Sequence, residues 1–205
     1  MILTFDNWKS MLETTAHLFQ ENEHMLSELD ARIGDGDHGI TVSKIGGLIL
    51  DECAAASDTA GLFKAVGKKL RSLPGGSACP LYGTFFGGFA RGVGEGDCDA
   101  AMVKAMFQAA FDKLDALSGA KVGDKTMMDA LIPANEAIQA GGDDVRAFLR
   151  AAADAAKAGS DKTKEFTSKF GRAKSYGERT LGYADPGSVS MALVFEGFAR
   201  AVEAL

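Results

Sequence analysis

Three aspartates lie within eight residues of one another, in the segment LDARIGDGDHGI that spans residues 29–40. They are Asp30, Asp35 and Asp37, and the intervening Gly34 and Gly36 allow backbone angles that other residues resist. Carboxylates that point toward a common centre repel one another unless cations lie between them. Oxygen ligands with no neighbouring cysteine suit Mg²⁺ or Ca²⁺ rather than zinc. One interpretation of the segment is therefore a site for a hard divalent cation.

Two other interpretations of this loop have to be weighed. The pattern D-x-D-x-G at 35–39 begins like an EF-hand, but Gly46 stands where that loop needs its glutamate, and Ile40 where it needs glycine. The EF-hand is excluded on this ground. The second alternative is that Asp35 and Asp37 are solvated turn or helix-capping residues, the commoner role of such aspartates. The loop alone leaves that alternative open.

The residues that follow the aspartates favour a phosphate ligand. The stretch His38 to Thr41, HGIT, opens a predicted helix whose free amides attract anions. Two Mg²⁺ would offset much of the repulsion between three carboxylates and a nucleoside triphosphate of about −4 charge. The standard nucleotide motifs are missing from the sequence, because GLFKAVGKK at 61–69 lacks the P-loop spacing and GVGEGD at 92–97 is not G-x-G-x-x-G.

Composition narrows the class of protein. The chain has 205 residues, which suits a single domain over 1–205, and a net charge of −6, which disfavours nucleic acid or an anionic membrane as the main partner. Its three cysteines form no C-x-x-C pair, and the N-terminus lacks the basic and apolar segments of a secretory signal. No apolar run is long enough for a membrane helix. We expect a cytoplasmic protein with reduced thiols.

The elements that position these residues are predicted to be helices, since apolar residues recur with a helical period and no period-2 strand is evident. The predicted helices start at about Asp6, continue or restart at Glu21, and then cover 40–56, 59–72, 77–93, 98–117, 126–140, 143–158 and 187–204. Short connections favour antiparallel neighbours, so every second loop should lie at the same end of the bundle. That end would hold the loops at 31–39, 73–77, 118–125 and 159–186. Glycine, aspartate and isolated basic residues are concentrated in these four loops, which predicts one composite site.

These four loops carry a resemblance to a known family. The segments LDARIGDGDHG (29–39), GGSACPLYGTFF (75–86), VGDKTMMDAL (122–131) and GRAKSYGERTLGYADPG (171–187) resemble, in order, those of the L subunits of dihydroxyacetone kinases. The resemblance covers essentially the full length. It implies an all-α, antiparallel up-and-down eight-helix barrel that holds ADP or ATP with two Mg²⁺ at one end.

The resemblance also implies roles for individual residues. Asp30, Asp35 and Asp37 would hold the two Mg²⁺ and, with Arg172, form the catalytic set. The nucleotide would be contacted by His38, Gly39, Ile40, Thr41, Gly76, Ser77, Ala78, Gly119, Met127, Arg172, Asp185, Pro186 and Gly187. One position departs from the family, which usually has serine where this chain has Ala78. A hydroxyl that could bond a phosphate oxygen is missing there, and Ser77 or backbone amides would replace it.

The chain has no evident sugar site. By resemblance, a separate K subunit would hold a short ketose and bring its hydroxyl to the γ-phosphate, and a phosphohistidine protein of the sugar phosphotransferase system would recharge a fixed ADP. The alternative is an ATP-dependent two-subunit kinase for dihydroxyacetone or a tetrulose such as erythrulose. A non-enzyme alternative is a nucleotide-sensing module that docks on a regulator. A homodimer is compatible with each of them.

Overall fold

A computed structural model of the chain describes residues 1–74, 76–94 and 96–205, and its described residues form nine α-helices. Gly75, from the second family motif, and Glu95, from the GVGEGD run, lie outside the described residues. The helices are α1 (Phe5–Glu21), α2 (Glu23–Ile33), α3 (His38–Ala55), α4 (Thr59–Ser72), α5 (Ala78–Phe89), α6 (Ala100–Ser118), α7 (Met128–Ala140), α8 (Val145–Lys162) and α9 (Pro186–Glu203). Two 3₁₀ segments, Thr163–Glu165 and Arg172–Thr180, lie between α8 and α9. The described part of the chain contains no strand, only an isolated pairing of Leu3 with Cys98.

Eight of the helices pack in a closed order. α1 packs on α3, each helix from α3 to α8 packs on its successor, and α9 packs back on α1. The short α2 lies outside this order, against α3. The all-α prediction is confirmed, and the order of packing is that of an eight-helix barrel with one additional helix.

The helix boundaries differ from the predicted ones at particular residues. The first helix is capped by Thr4 rather than Asp6, because the Thr4 hydroxyl and the Asn7 side chain form a reciprocal capping box. It ends at Glu21, so the restart rather than the continuation is correct, and α2 begins at Glu23. α8 extends past the predicted end at 158, because Gly159 is not a stop signal: a Cβ there would lie 2.0 Å from the Asp129 carbonyl oxygen of α7. This glycine permits close packing of two helices.

An aromatic cluster fills the interior. Trp8 is fully buried, and its ring lies 5.4 Å from that of Phe63 and 5.9 Å from that of Phe89, at steep interplanar angles. Phe107 and Phe198 complete the contacts around Trp8. Edge-to-face aromatic pairs add specific geometry to apolar burial. The cluster therefore joins α1, α4, α5, α6 and α9, which fixes the helices whose ends carry the loops.

No α-helix in the described ranges has the length and apolarity needed to cross a membrane. Cys53, Cys79 and Cys98 are buried free thiols, and burial raises the pKa of each. The prediction of unpaired cysteines is confirmed.

Candidate functional site

One cavity of about 600 Å³ opens at the end of the bundle that carries the long loops. All four loops grouped by the counting of connections contribute to its lining, as shown by Asp35, Gly76, Ser118 and Arg172. The four loops therefore meet at one cavity, as the counting of connections predicted.

The three aspartates of the first loop form a cluster in this cavity. One carboxylate oxygen from each of Asp30, Asp35 and Asp37 lies within 4.8 Å of the others. The backbone N–H of His38 donates to Asp30 Oδ2 at 3.2 Å, which orients that carboxylate. Gly34 is required beside it, since a Cβ at 34 would lie 2.3 Å from Asp30 Oδ1. Three close oxygen donors, two of them on exposed residues, are the ligand type that hard divalent cations prefer.

A basic residue approaches the same cluster from the last loop. The Arg172 guanidinium pairs with the Asp35 carboxylate, and both side chains are largely exposed. The Tyr176 hydroxyl donates to the Gly34 carbonyl oxygen at 3.4 Å. The segment between α8 and α9 therefore contacts the aspartate loop at two points, although more than 130 residues separate the two in sequence.

Four helices begin at the cavity. Its lining includes His38 at the start of α3, Ala78 at the start of α5, Met127 directly before α7 and Pro186 at the start of α9. The amides of a first helical turn lack intrahelical partners, and the helix dipole adds partial positive charge there. Four such ends around one cavity make it favourable for anions, at the same place where the carboxylates are favourable for cations. A metal–phosphate group combines both charges.

The His38 side chain connects the start of α3 to α9 and, through Ser190, to α5. Its Nε2 lies 2.9 Å from the Ser190 hydroxyl oxygen, which also accepts from the Tyr82 hydroxyl at 2.8 Å. Ser190 in turn donates to the Gly187 carbonyl oxygen at 3.1 Å. Burial lowers the pKa of His38, and the neighbouring Asp30 opposes this shift. The hydrogen bonds fix the starts of α3 and α9 and the buried phenol of α5 relative to one another.

A second polar cluster lies under the other side of the cavity. Lys125 is 1% exposed, and its ammonium group donates to the carbonyl oxygens of Thr163, Thr180 and Tyr183. Desolvation lowers the pKa of Lys125. Asp185 caps α9 by accepting from the Ser188 N–H at 2.6 Å, and burial raises the pKa of Asp185 to about 7.

The remaining wall is apolar. Ile33, Leu81, Leu117, Met127 and Phe170 line it, and Leu117 and Phe170 remain substantially exposed at the rim. An apolar wall beside a charged floor suits a ligand with a flat ring at one end and anionic groups at the other.

Most of the residues predicted from the sequence line this cavity. Those that do are Asp30, Asp35, Asp37, His38, Thr41, Gly76, Ser77, Ala78, Met127, Arg172, Asp185, Pro186 and Gly187. Gly39, Ile40 and Gly119 do not contribute to the lining. Gly39 faces α2, where a Cβ would lie 1.9 Å from the Glu23 carbonyl oxygen, Ile40 is exposed, and Gly119 ends α6 with a φ of 63°.

Sequence reasoning missed several lining residues, chiefly Tyr82, Lys125 and Phe170. Lys125 stands in the VGDKTMMDAL segment and could have been noticed as the basic residue of that loop. Tyr82 and Phe170 gave no signal, because their positions fit ordinary core or loop residues.

Comparison with known proteins adds the following. The DAK2 domain family matches residues 32–200. The ADP-binding subunit DhaL of a PEP-dependent dihydroxyacetone kinase from Listeria innocua is 35% identical over 182 residues, 86% of either chain. A D-erythrulose kinase of Mycolicibacterium smegmatis is 33% identical, over 88% of this chain but 33% of that protein. The dihydroxyacetone kinase of C. freundii in complex with AMP-PNP and Mg²⁺ has a similar fold, with a TM-score of 0.73 and 28% identity over 94% of this chain and 33% of that one.

Proposed function

Because the chain belongs to the DAK2 domain family, we propose that it is the nucleotide-binding L subunit of a dihydroxyacetone kinase. The observation that carries this proposal is the meeting of three carboxylates and four helix N-termini in one cavity. A phosphotransferase subunit needs such a combination, since phosphoryl transfer depends mainly on positioning and on neutralising charge.

In this proposal Asp30, Asp35 and Asp37 hold two Mg²⁺ ions. The carboxylate oxygens lie close enough to share cations, and no cysteine competes for them. Magnesium held by these carboxylates would supply positive charge against the phosphates. Arg172 pairs with Asp35 in this structure and would supply further positive charge beside the phosphates.

The protein groups that contact the phosphates are the helix-terminal amides. In the first turn of α3 the His38 N–H donates to Asp30 and the Thr41 N–H to the Asp37 carbonyl oxygen, so the Gly39 and Ile40 amides serve the anionic part of the ligand. The amides around Ser77 and Ala78 serve it from the start of α5. Ser77 supplies a hydroxyl next to Ala78, whose methyl group cannot bond a phosphate oxygen. Asp185, Pro186 and Gly187 form the third contacting turn. These residues orient the phosphate chain, and no proton transfer to it is assigned to them.

The base and ribose occupy the apolar side of the cavity. Met127 and Phe170 offer flat or flexible apolar contacts, and Gly119 ends the helix next to the lining residues Leu117 and Ser118. The rim residues Leu117 and Phe170 stay exposed, which keeps this side open for a nucleotide to enter.

The ketose substrate belongs to a partner. A K subunit would present the hydroxyl of a short ketose to the γ-phosphate, which the name of the Listeria relative, an ADP-binding subunit of a dihydroxyacetone kinase, supports. The Listeria relative is PEP-dependent by name, which supports an ADP that stays bound and is recharged by a phosphohistidine protein. The chain alone would then be nearly inactive.

The erythrulose kinase relative supports a second candidate, an ATP-dependent two-subunit kinase in which ADP exchanges freely. The support is weaker, because this chain spans one third of that relative. Retention of ADP separates the two. ADP that stays with the purified protein through desalting supports the first candidate, and its complete loss supports the second.

Calorimetric titration tests the site itself. We expect Mg²⁺-dependent binding of ADP to the wild type and a loss of affinity of about 10-fold or more in Asp35→Ala, because each lost charge pair contributes on the order of 1–4 kcal/mol. The matched control is Asp51→Ala, an exposed aspartate near the other end of α3, which should bind as the wild type does. A wild type from which bound nucleotide has first been removed, and which then takes up neither ADP nor ATP with Mg²⁺ present, would overturn the proposal.

Activity is tested with the partner present. The chain is combined with a K subunit and assayed with dihydroxyacetone or erythrulose, using either ATP or a PEP-driven phosphohistidine protein as donor. Turnover with one donor identifies the class of kinase. Nucleotide binding without turnover on any combination would favour a sensing module instead.

A further inference from the structure

The ammonium group of Lys125 occupies a site made entirely of backbone carbonyls. Its three donor–acceptor distances are 2.6 Å to Thr163, 2.8 Å to Thr180 and 2.6 Å to Tyr183. An ammonium group has three protons, and here each has a carbonyl partner. Lys125 therefore has no proton left for a phosphate, and its contribution to the site is indirect.

The three carbonyls belong to both ends of one segment. We call residues 163–183 the strap, since they run across the site end from α8 toward α9. Thr163 is the first residue of the strap, and Thr180 and Tyr183 are near its end. Lys125 thus joins the two ends, and the Gly182 N–H, which donates to the Lys164 carbonyl oxygen at 2.8 Å, closes the same junction.

The middle of the strap carries the groups that reach the aspartate loop. Arg172 pairs with Asp35, and Tyr176 donates to the Gly34 carbonyl oxygen. The strap between its two ends has little regular structure, only 3₁₀ turns, and such turns have poorer hydrogen-bond geometry than an α-helix. Lys169 also contacts Asp124 through a backbone hydrogen bond of 3.1 Å and an ion pair of 2.7 Å. The position of Arg172 consequently depends on this contact and on how firmly the strap ends are held.

Lys125 is itself held from the opposite side. The Asp129 carboxylate accepts from the Gly123 N–H at 2.6 Å and from the Thr126 N–H at 2.7 Å, which fixes the loop on both sides of Lys125. The φ of Lys125 is 61°, a left-handed value that residues with a Cβ rarely adopt. Such a conformation persists where the surroundings over-determine it.

We propose that Lys125 is a positioning residue that ties both ends of the strap to the loop before α7 and so holds Arg172 at the phosphate site. The role at the site rests on the proposed function, because it requires that Arg172 acts on a nucleotide. Lys125 is not a catalytic residue, since its ammonium group contacts only backbone.

Amide hydrogen exchange, measured without nucleotide, tests whether Lys125 holds the two ends of the strap. Lys125→Met keeps the length of the side chain but leaves three carbonyls without their donor, so amides of the strap should exchange about 10-fold faster or more, while those of α4 stay unchanged. The matched control is Lys104→Met, because Lys104 also donates to a backbone carbonyl, that of Gly141, at the opposite end of the bundle. Strap exchange at the wild-type rate in Lys125→Met would overturn the proposal.

Chemical rescue provides a second variant should Lys125→Met fail to fold. Lys125→Gly relieves the left-handed backbone and leaves a hole surrounded by three carbonyls. Ammonium chloride should restore slow exchange in the strap, and tetramethylammonium chloride at equal ionic strength should not, because it cannot donate hydrogen bonds. Equal effects of the two salts, or no effect of ammonium, would contradict a carbonyl-bound cation at this place.

Nucleotide affinity then distinguishes a role of Lys125 in positioning Arg172 from a purely structural role in the strap. Affinity for Mg²⁺–ADP should fall about 10-fold in Lys125→Met and stay unchanged in Lys104→Met. Faster strap exchange with unaltered affinity would reduce Lys125 to a structural residue and overturn its positioning role. A wild type that does not bind ADP would overturn the proposed function instead. The hydrogen-exchange result would remain valid, because it is measured without nucleotide.

Discussion

The charges of the individual side chains at this site can be explained only when the whole group is considered. Asp30, Asp35 and Asp37 would repel one another in isolation, and Arg172 offsets only Asp35. Below them Lys125 and Asp185 are titratable groups with little access to solvent. Desolvation lowers the pKa of Lys125 and raises that of Asp185, which favours the neutral form of each. The carboxylate trio was predictable because residue type and spacing reveal it. Lys125 is visible in the sequence as a basic residue, but its burial and its left-handed φ could not be predicted from the pattern of apolar residues.

The raised pKa of Asp185 predicts a dependence of stability on pH. Its pKa is about 7 in the folded chain against 3.8 as the reference value, so between these values the folded state binds more protons than the unfolded state. The free energy of unfolding should therefore fall as pH rises from 5 to about 7, by at most about 1.4 kcal/mol per pH unit. Asp185→Asn keeps an oxygen for capping Ser188 and should lose this dependence.

The measurement is urea unfolding between pH 5 and 8 with a chelator and no nucleotide. His38 has the opposite sign, since its lowered pKa makes stability rise as pH increases toward 6.5 and level off above that value. The readout is therefore the difference between wild type and Asp185→Asn at each pH. A difference that stays constant over this range would show that Asp185 does not titrate there.

At the scale of elements, the helices serve the site through their ends. α3, α5, α7 and α9 all begin at the cavity, and aspartates or small polar residues precede several of them. The positions of the helices were predictable from the period of apolar residues. The 3₁₀ turns within the strap were not, because their conformation depends on contacts with Lys125, Asp124 and the aspartate loop rather than on local sequence.

Glycine has opposite roles in two neighbouring helices, which predicts opposite effects of alanine. A Cβ on Gly67 in α4 would lie 2.4 Å from the Gly87 Cα in α5, so Gly67→Ala must separate the helices and should cost about 1–3 kcal/mol. A Cβ on Gly47 in α3 would meet nothing within 4 Å, and Gly47→Ala should stabilise by about 0.5–1 kcal/mol through helix propensity. Denaturant midpoints of the two variants give the comparison. A Gly67→Ala variant as stable as the wild type would contradict the close approach of α4 and α5, and a destabilised Gly47→Ala would contradict the open space at Gly47.

At the scale of the whole molecule, the barrel brings together loops that are far apart in sequence. Counting antiparallel connections predicted which loops share an end, because alternation is a topological rule independent of side-chain detail. The additional helix α2 does not disturb the count, since α1 and α3 still pack on each other. The shape of the cavity could not be predicted by counting connections, because it depends on how far each loop folds over the helix ends.

A ligand that touches every loop of one end should stabilise the whole chain. Mg²⁺–ADP contacts the loops before α3, α5, α7 and α9 in the proposed function, and binding to the folded state alone adds about 2.7 kcal/mol at a concentration of 100 times Kd. We expect thermal unfolding to shift upward with Mg²⁺ and ADP together and little with either alone. AMP with Mg²⁺ is the control, since it lacks the β-phosphate that the cations would bridge. An equal shift with AMP, or with ADP in the presence of a chelator, would mean that the base side alone binds and that the carboxylates have another role.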